Sequence, residues 1–296
     1  MKKVLVVGGT GFVGGALVPE LIKKGFSTTL LVRNLEKAKS RFSGCDFILG
    51  DPMKSGSWQA EVSNFDVVIN LVGQNIFGKW TESYKKLILE SRVKSTENIV
   101  KSLKKNAFLI NASAIGYYGD KGDQSVDEDS QPGNDFLAKV CIEWEKQAQN
   151  AKKYGVKVAI TRFGIVLGKG GMLAKVLPVF KWGLGGTLGD GRQWFSWIHI
   201  SDLVNGLIFL IEKDLEGVFN FTSPQPVTNK EFTKALATVL KRPAFFRVPM
   251  FALKLFLGEL ADSITANIKA HPRRLIQNDF KFIYPEIKGA LESLVK

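Results

Sequence analysis

Val4-Leu5-Val6-Val7 runs directly into Gly8-Gly9-Thr10-Gly11-Phe12-Val13-Gly14, and this stretch decides the fold. The first four residues are a continuous apolar, β-branched-rich run, as expected of a strand buried on both faces. Phe12 to Lys24 has helical periodicity. At the joint, Gly8, Gly11 and Gly14 fall at a G-x-x-G-x-x-G spacing. The first glycine permits a tight turn out of the strand. The second lets a pyrophosphate approach bare backbone, and the third lets the helix pack close to the sheet. The amides of the first helical turn then hold the anion. Gly8, Thr10, Gly11, Phe12, Val13 and Gly14 are therefore expected to cradle a dinucleotide. The alternative is a glycine-rich turn with no ligand.

Moving outward, Ser27 to Val32 reads as a second strand, followed by Val32-Arg33-Asn34. A carboxylate near this point would bind a ribose 2′-hydroxyl, and none is present. A guanidinium instead holds a 2′-phosphate through paired, charge-assisted hydrogen bonds. Arg33 thus favours NADP(H) over NAD(H). The alternative is an ordinary surface arginine, with Asn34 capping the next helix. A third strand, Asp46 to Leu49, leads to Gly50-Asp51. Asp51 either meets the adenine amine or serves the turn.

Further strands are expected at Asp66 to Val72, Ala107 to Ala112, Val156 to Phe163 and Val218 to Phe221. Helices are expected at Glu82 to Lys104, Asp135 to Tyr154 and Leu203 to Glu212. This alternation implies a Rossmann-type, doubly wound α/β parallel sheet with right-handed crossovers. From Asn229 the pattern is helical, with prolines as punctuation. The expected organisation is a cofactor-binding domain, 1–225, and a smaller helical substrate domain, 226–296. The glycine-rich stretch 164–198 contributes to the substrate pocket.

Composition narrows the classes. With 45% hydrophobic and 23% charged residues, the 296-residue chain is an ordinary globular protein, not a disordered chain, collagen or coiled coil. Two cysteines, Cys45 and Cys141, with no C-x-x-C pair, and two histidines imply no disulfide framework and no metal, and fit a reducing cytoplasm. Glycines interrupt the N-terminal apolar run, so it does not read as a signal peptide. The apolar stretch Val248 to Ala261 is too short to span a membrane. The net charge of +13 rests mainly on lysines scattered along the chain. Scattered lysine reads as a solvated surface, so neither a nucleic-acid nor a membrane partner is expected, and an anionic small molecule is.

At this point the chain resembles the short-chain dehydrogenase/reductase superfamily, in its extended or atypical branch. More closely, it is similar to the NAD-dependent epimerase/dehydratase family. The likeness rests on Gly8–Gly14, Asn70-Leu71-Val72-Gly73, Trp80, Ser91-Arg92, Ser113-Ala114-Ile115-Gly116-Tyr117-Tyr118-Gly119, Thr161 to Gly168, and Gly185-Gly186 through Asp202. It implies that Leu71, Val72 and Gly73 line the cofactor by backbone contact. It places Arg92 near the phosphates and Val166 on the nicotinamide side. The C-terminal helices become a lid, and superfamily analogy gives a monomer or homodimer. Read without the likeness, Arg92 is a solvated helix residue, and Trp80, Trp194 and Trp197 either pack in the core or touch the substrate.

Reductases of this superfamily usually carry Tyr-x-x-x-Lys on a helix, where the lysine lowers the tyrosine pKa. Here the tyrosine position reads as Phe136, or as Asp135 if the alignment slips by one, with Lys139 following. The usual pair is absent. Ser113, Tyr117 and Tyr118 remain as hydrogen-bond donors at the end of the fifth strand; the alternative is a turn cap and packing. His199 reads as a buried structural histidine, Asp202 as the start of a helix, and Cys141 as inert packing. The leading expectation is NADP(H)-dependent hydride transfer on a small molecule. A non-catalytic NADP(H) sensor is the second reading.

Overall fold

The structure, a computed structural model, describes residues 1–295. Its centre is a seven-stranded parallel sheet. The strands are β1 (Lys3–Val7), β2 (Ser27–Val32), β3 (Asp46–Leu49), β4 (Val67–Asn70), β5 (Phe108–Ala114), Lys157–Phe163 and Gly217–Phe221. Across the sheet they run Gly217–Phe221, Lys157–Phe163, β5, β4, β1, β2, β3. The chain thus winds outward from β1 to β3, then returns to β1's other side, where Val7 pairs with Asn70. That reversal opens a crevice at the carboxyl ends of β1 and β4, where doubly wound sheets bind ligands.

Strand side chains alternate between two cores. Val4, Val6, Leu30 and Ile69 face a cluster completed by α1 (Phe12–Lys23) and, much later, Leu203, Leu207 and Ile211. Leu5, Val7, Leu31 and Val68 face the opposite cluster, with Trp58, Ile99 and Ala148. This second cover is built by the short helix α3 (Trp58–Val62) at the sheet's edge, α4 (Glu82–Val100) and α5 (Phe136–Gln149), while the short α2 (Leu35–Lys39) packs Ala38 into the first cluster. Burial on both faces explains why these strands read as unbroken apolar runs.

Several boundaries differ from the sequence reading, among them that of the helix Ile200–Lys213, which begins at Ile200 and not Leu203. β4 stops at Asn70, not Val72, because the Val72 amide donates to Asn70 Oδ1 at 3.1 Å and the chain turns. α4 ends at Val100, where the Ser102 amide donates to Ile99 O and tightens the last turn. α5 gives way after Gln149 to a 3₁₀ turn, Asn150–Tyr154, closed by Gly155 at φ +71°.

The stretch 164–198 is not a bare loop. Ile165–Leu167 pairs with Trp197–His199, Gly186–Leu188 with Phe246–Val248, and Trp194–Phe195 with Val227–Thr228. These ribbons carry α6 (Gly171–Lys181) and lead into α7 (Ile200–Lys213) and α8 (Asn229–Leu240). A third core joins Leu167, Phe180 and Trp197 to Phe232, Leu236 and Leu291. The chain between Val248 and Lys269 holds the helices Met250–Leu257 and Leu260–Ile264. Both its ends are strand-paired, since Lys269–Ala270 pairs with Ser125–Val126. Glu259 ties its middle to Lys85 of α4 at 2.6 Å. Farther on, Asp202 accepts from the amides of Ile283 (2.7 Å) and Tyr284 (2.9 Å). No helix among the described residues is long and apolar enough to cross a membrane.

Candidate functional site

The turn after β1 has the geometry that its glycines allow. Gly8 sits at φ +85°, and a Cβ there would lie 3.0 Å from the Leu71 carbonyl carbon and oxygen. A Cβ on Gly14 would come within 2.5 Å of the Gly9 Cα. So α1 packs against the turn at a distance only glycine permits. Gly11 precedes α1, and no side chain caps the helix. The orphan amides of its first turn open onto the crevice, beside exposed Thr10, Gly11 and Phe12, with Val13 half-buried. The Phe12 ring lies against the 168–171 loop, 2.8 Å from where a Cβ on Gly168 or Gly170 would be. A cradle that a Cβ would fill, with donors left open, fits a diphosphate.

Two arginines flank this cradle. Arg33 follows β2, is exposed, and makes no ion pair among the described residues. Asn34 caps α2, its Oδ1 accepting from the Lys37 amide at 2.9 Å. Arg41, which the sequence reading passed over, donates through Nη1 to Thr10 O at 2.6 Å and lays its guanidinium beside Gly15. Nothing in the sequence marked it, because α2 intervenes and only the chain's return brings it over the turn. Asp51 Oδ1 accepts from the Met53 amide at 3.0 Å, which serves the turn and leaves Oδ2 without a hydrogen bond among the described residues.

On the other wall, the Leu71 amide donates to Val7 O at 2.9 Å, placing Leu71, Val72 and Gly73 opposite the glycine turn. Asn70 Nδ2 donates to Thr96 Oγ1 (2.9 Å) and Asn111 Oδ1 (2.7 Å), fixing the end of β4. Arg92 packs against Gly73 and lies 5.1 Å over the Trp144 ring. Its Nη1 donates to Ile88 O at 2.9 Å, and burial lowers its pKa. It is not the solvated residue of the alternative reading. Val166 is half-buried, in register with Ile198.

The three expected donors, Ser113 near the end of β5 and Tyr117 and Tyr118 just after it, separate. Arg162 makes a two-pronged pair with Glu145, Nε to Oε1 and Nη2 to Oε2, both at 2.8 Å. Ser113 donates to Glu145 Oε1 at 2.6 Å. Arg162 Nη1 donates to the Tyr118 hydroxyl at 3.0 Å, which donates onward to Asn220 Oδ1 at 2.7 Å. Burial pushes Tyr118 up to about 12. Ser113 and Tyr118 are both buried, their hydroxyls spent inside the protein. Tyr117 is half-buried, with its ring 3.4 Å from the Arg162 guanidinium carbon, and its hydroxyl makes no hydrogen bond among the described residues.

No tyrosine stands on the neighbouring helix. Phe136 packs edge-on against Trp80 with ring centres 5.1 Å apart. Asp135 caps α5, accepting from the Ala138 amide at 2.9 Å, and Lys139 is exposed. Cys141 is buried, and burial pushes its thiol up to about 12, far from a thiolate. His199 caps α7 through Nδ1, and its Nε2 lies 3.2 Å from Ser293 Oγ. Burial holds it neutral, with a pKa lowered to about 4. Asp202 stands in the first turn of α7, at the start of the helix as expected, with its carboxylate turned to the amides of Ile283 and Tyr284.

Comparison with known proteins agrees with this geometry. The pattern of the NAD dependent epimerase/dehydratase family matches residues 4–221, and that of a domain of unknown function (DUF1731) matches 248–294. The chain is 40% identical over 302 residues to the Epimerase family protein SDR39U1 homolog, chloroplastic, of Arabidopsis thaliana, covering 99% of this chain and 86% of that protein. It is 35% identical over 298 residues to Epimerase family protein YfhF of Bacillus subtilis, covering 99% and 97%. Among solved structures, human epimerase family protein SDR39U1 (isoform2) with NADPH superposes with a TM-score of 0.86 at 29% identity, covering 99% and 98%. Matched end to end in sequence and in the winding of its sheet, this chain belongs to the NAD dependent epimerase/dehydratase family.

Proposed function

We propose that this chain is an NADP(H)-binding short-chain dehydrogenase/reductase of the atypical branch. It works as a reductase or epimerase that moves hydride to or from an unidentified small molecule. The observation that carries this reading is the open first turn of α1, flanked by Arg33 and Arg41, with no carboxylate after β2. A human relative solved with NADPH supports the same choice of cofactor. Gly8 to Gly14 hold the diphosphate, Arg33 and Arg41 the 2′-phosphate, and Asp51 the adenosine end. Leu71 to Gly73 and Val166 line the nicotinamide half, with Arg92 behind them. When bound, the cofactor supplies the hydride chemistry.

The chain's own residues exclude water and supply the proton. Tyr117 is the donor of choice, since its hydroxyl is uncommitted while those of Ser113 and Tyr118 are tied to Glu145 and Asn220. Ser113 positions Glu145, and through it Arg162 and the Tyr117 ring. The unit 1–225 carries the cofactor, and 226–296 with 164–198 closes the substrate side, a division supported by their shared core. The second reading, a non-catalytic NADP(H) sensor, is favoured by Phe136 standing where a tyrosine is usual.

NADPH is expected to raise the melting temperature more than NADH at equal concentration, as mass action requires of the tighter ligand. Equal shifts would remove the NADP(H) assignment. NADPH oxidation across a panel of carbonyl compounds then divides the readings. Turnover that Tyr117→Phe abolishes, with NADPH binding retained, supports the enzyme. Tight binding with no turnover on any class supports the sensor.

A further inference from the structure

The lysines look scattered in sequence, but the fold gathers a set of them. Down one side of α8 run Lys230, Thr233, Lys234, Ala237, Thr238 and Lys241, at the spacing that makes helix neighbours. The chain then doubles back through Arg242–Arg247, enclosing a groove of about 580 Å³. Five cations line it, Lys230, Lys234, Lys241, Arg242 and Arg247, against one carboxylate, Asp190. Asp190 is already engaged by Arg192 at 3.7 Å. None of the five makes an ion pair among the described residues. On α4, by contrast, Lys94 and Lys101 each pair with a glutamate one turn back.

Large apolar side chains stand in water beside this groove. Phe245 is 89% exposed and Trp182 82%, with Leu184 and Phe246 exposed next to them. The two loops that carry them touch. A Cβ on Gly183 would lie 3.4 Å from Pro243 Cγ, and Gly186 pairs with Phe246. Single exposed apolar residues are ordinary, but a cluster rimmed by unpaired cations marks a docking face.

The geometry points to an anionic phospholipid bilayer as the occupant of this face. Headgroup phosphates sit in the cationic groove while Trp182, Leu184, Phe245 and Phe246 enter the interfacial layer. Charge complementarity selects this partner, because an anionic leaflet attracts clustered lysine and arginine. Trp, Phe and Leu beside Lys and Arg is also the composition of interfacial binding. A second copy of the chain would set these cations against themselves. A nucleic acid would use the cations and the rings but leave Leu184 in water. The contact is a surface one, not a span.

The test is co-sedimentation of the full-length protein with phosphatidylcholine vesicles, with and without phosphatidylglycerol. The protein is expected on the anionic vesicles, to be released by salt, and to be nearly absent from phosphatidylcholine alone. Lys234→Gln with Arg247→Gln should lower partitioning about thirtyfold. Trp182→Ser with Phe245→Ser should lower it about tenfold or more. Both pairs should keep the native thermal unfolding profile, which separates lost docking from lost folding. Three outcomes overturn the proposal: equal binding to both vesicle types, binding to neither, or retention on single-stranded RNA at physiological salt without vesicle binding.

Discussion

At the carboxyl end of β1 the chain leaves its donors open, while around the end of β5 it closes them. The first region consists of backbone amides, exposed Thr10 and two arginines without carboxylate partners. The second knots Arg162, Glu145, Ser113, Tyr118 and Asn220 into one buried web. Both lie along the same edge of the sheet, and both contain residues that a motif reading assigns to chemistry. The contrast teaches that a polar side chain near a cleft belongs to the interior once its partners are counted. What is left over is what a ligand finds.

The largest expected effect tests the closed region. Removing one member of a buried ion pair strands the other, at a cost of about 3–5 kcal/mol. Glu145→Gln or Arg162→Met should lose that much in urea unfolding, with NADPH affinity of the folded fraction little changed. A loss under about 1 kcal/mol, the worth of an exposed pair, would show that the web does not hold this part of the protein together.

Next comes acid. His199 is buried and neutral, with a folded pKa of about 4 against the usual 6.5. Its folded pKa lies below its unfolded one, so in this window the unfolded chain binds the extra proton. Stability from this residue is complete above the unfolded value and drains away as pH falls toward 4, by about 3 kcal/mol. Burial raises Glu128 and Asp202, and these act in the opposite sense. The measurement is therefore the difference between native and His199→Asn unfolding curves across that range. Parallel curves would show that His199 titrates freely.

The smallest effect on folding sharpens the open region. Arg41→Ala and Arg33→Ala touch no buried pair, so melting should barely move. Each should weaken NADPH about 10- to 100-fold by removing charge-assisted bonds, and leave NADH nearly untouched, as read by fluorescence titration. If only Arg33 matters, Arg41 serves the turn through Thr10 and not the cofactor.

The sheet was legible because its inner strands, such as Val4–Val7 and Val67–Asn70, are buried on both faces and bounded by polar turns. The short ribbons were not. Gly186–Leu188 and Phe246–Val248 have three residues each, too few for a period to appear. The glycine turn was legible because a special backbone shape needs a special residue. Arg41 and the Arg162–Glu145 pair were not, since each joins residues on different elements of the chain. Reading the lysines one by one as solvated missed that those of α8 share a side.

The paired ends of the segment between Val248 and Lys269 bear on how the protein tolerates injury. Each end is stitched to a different part of the body, one to Gly186–Leu188 and the other to Ser125–Val126. A peptide bond severed among Phe251–Leu257 would leave two tails, each still moored by its own stitch. The nicked molecule would migrate as one particle until a denaturant parted it, so this span behaves less like a flap on a hinge than like the handle of a basket.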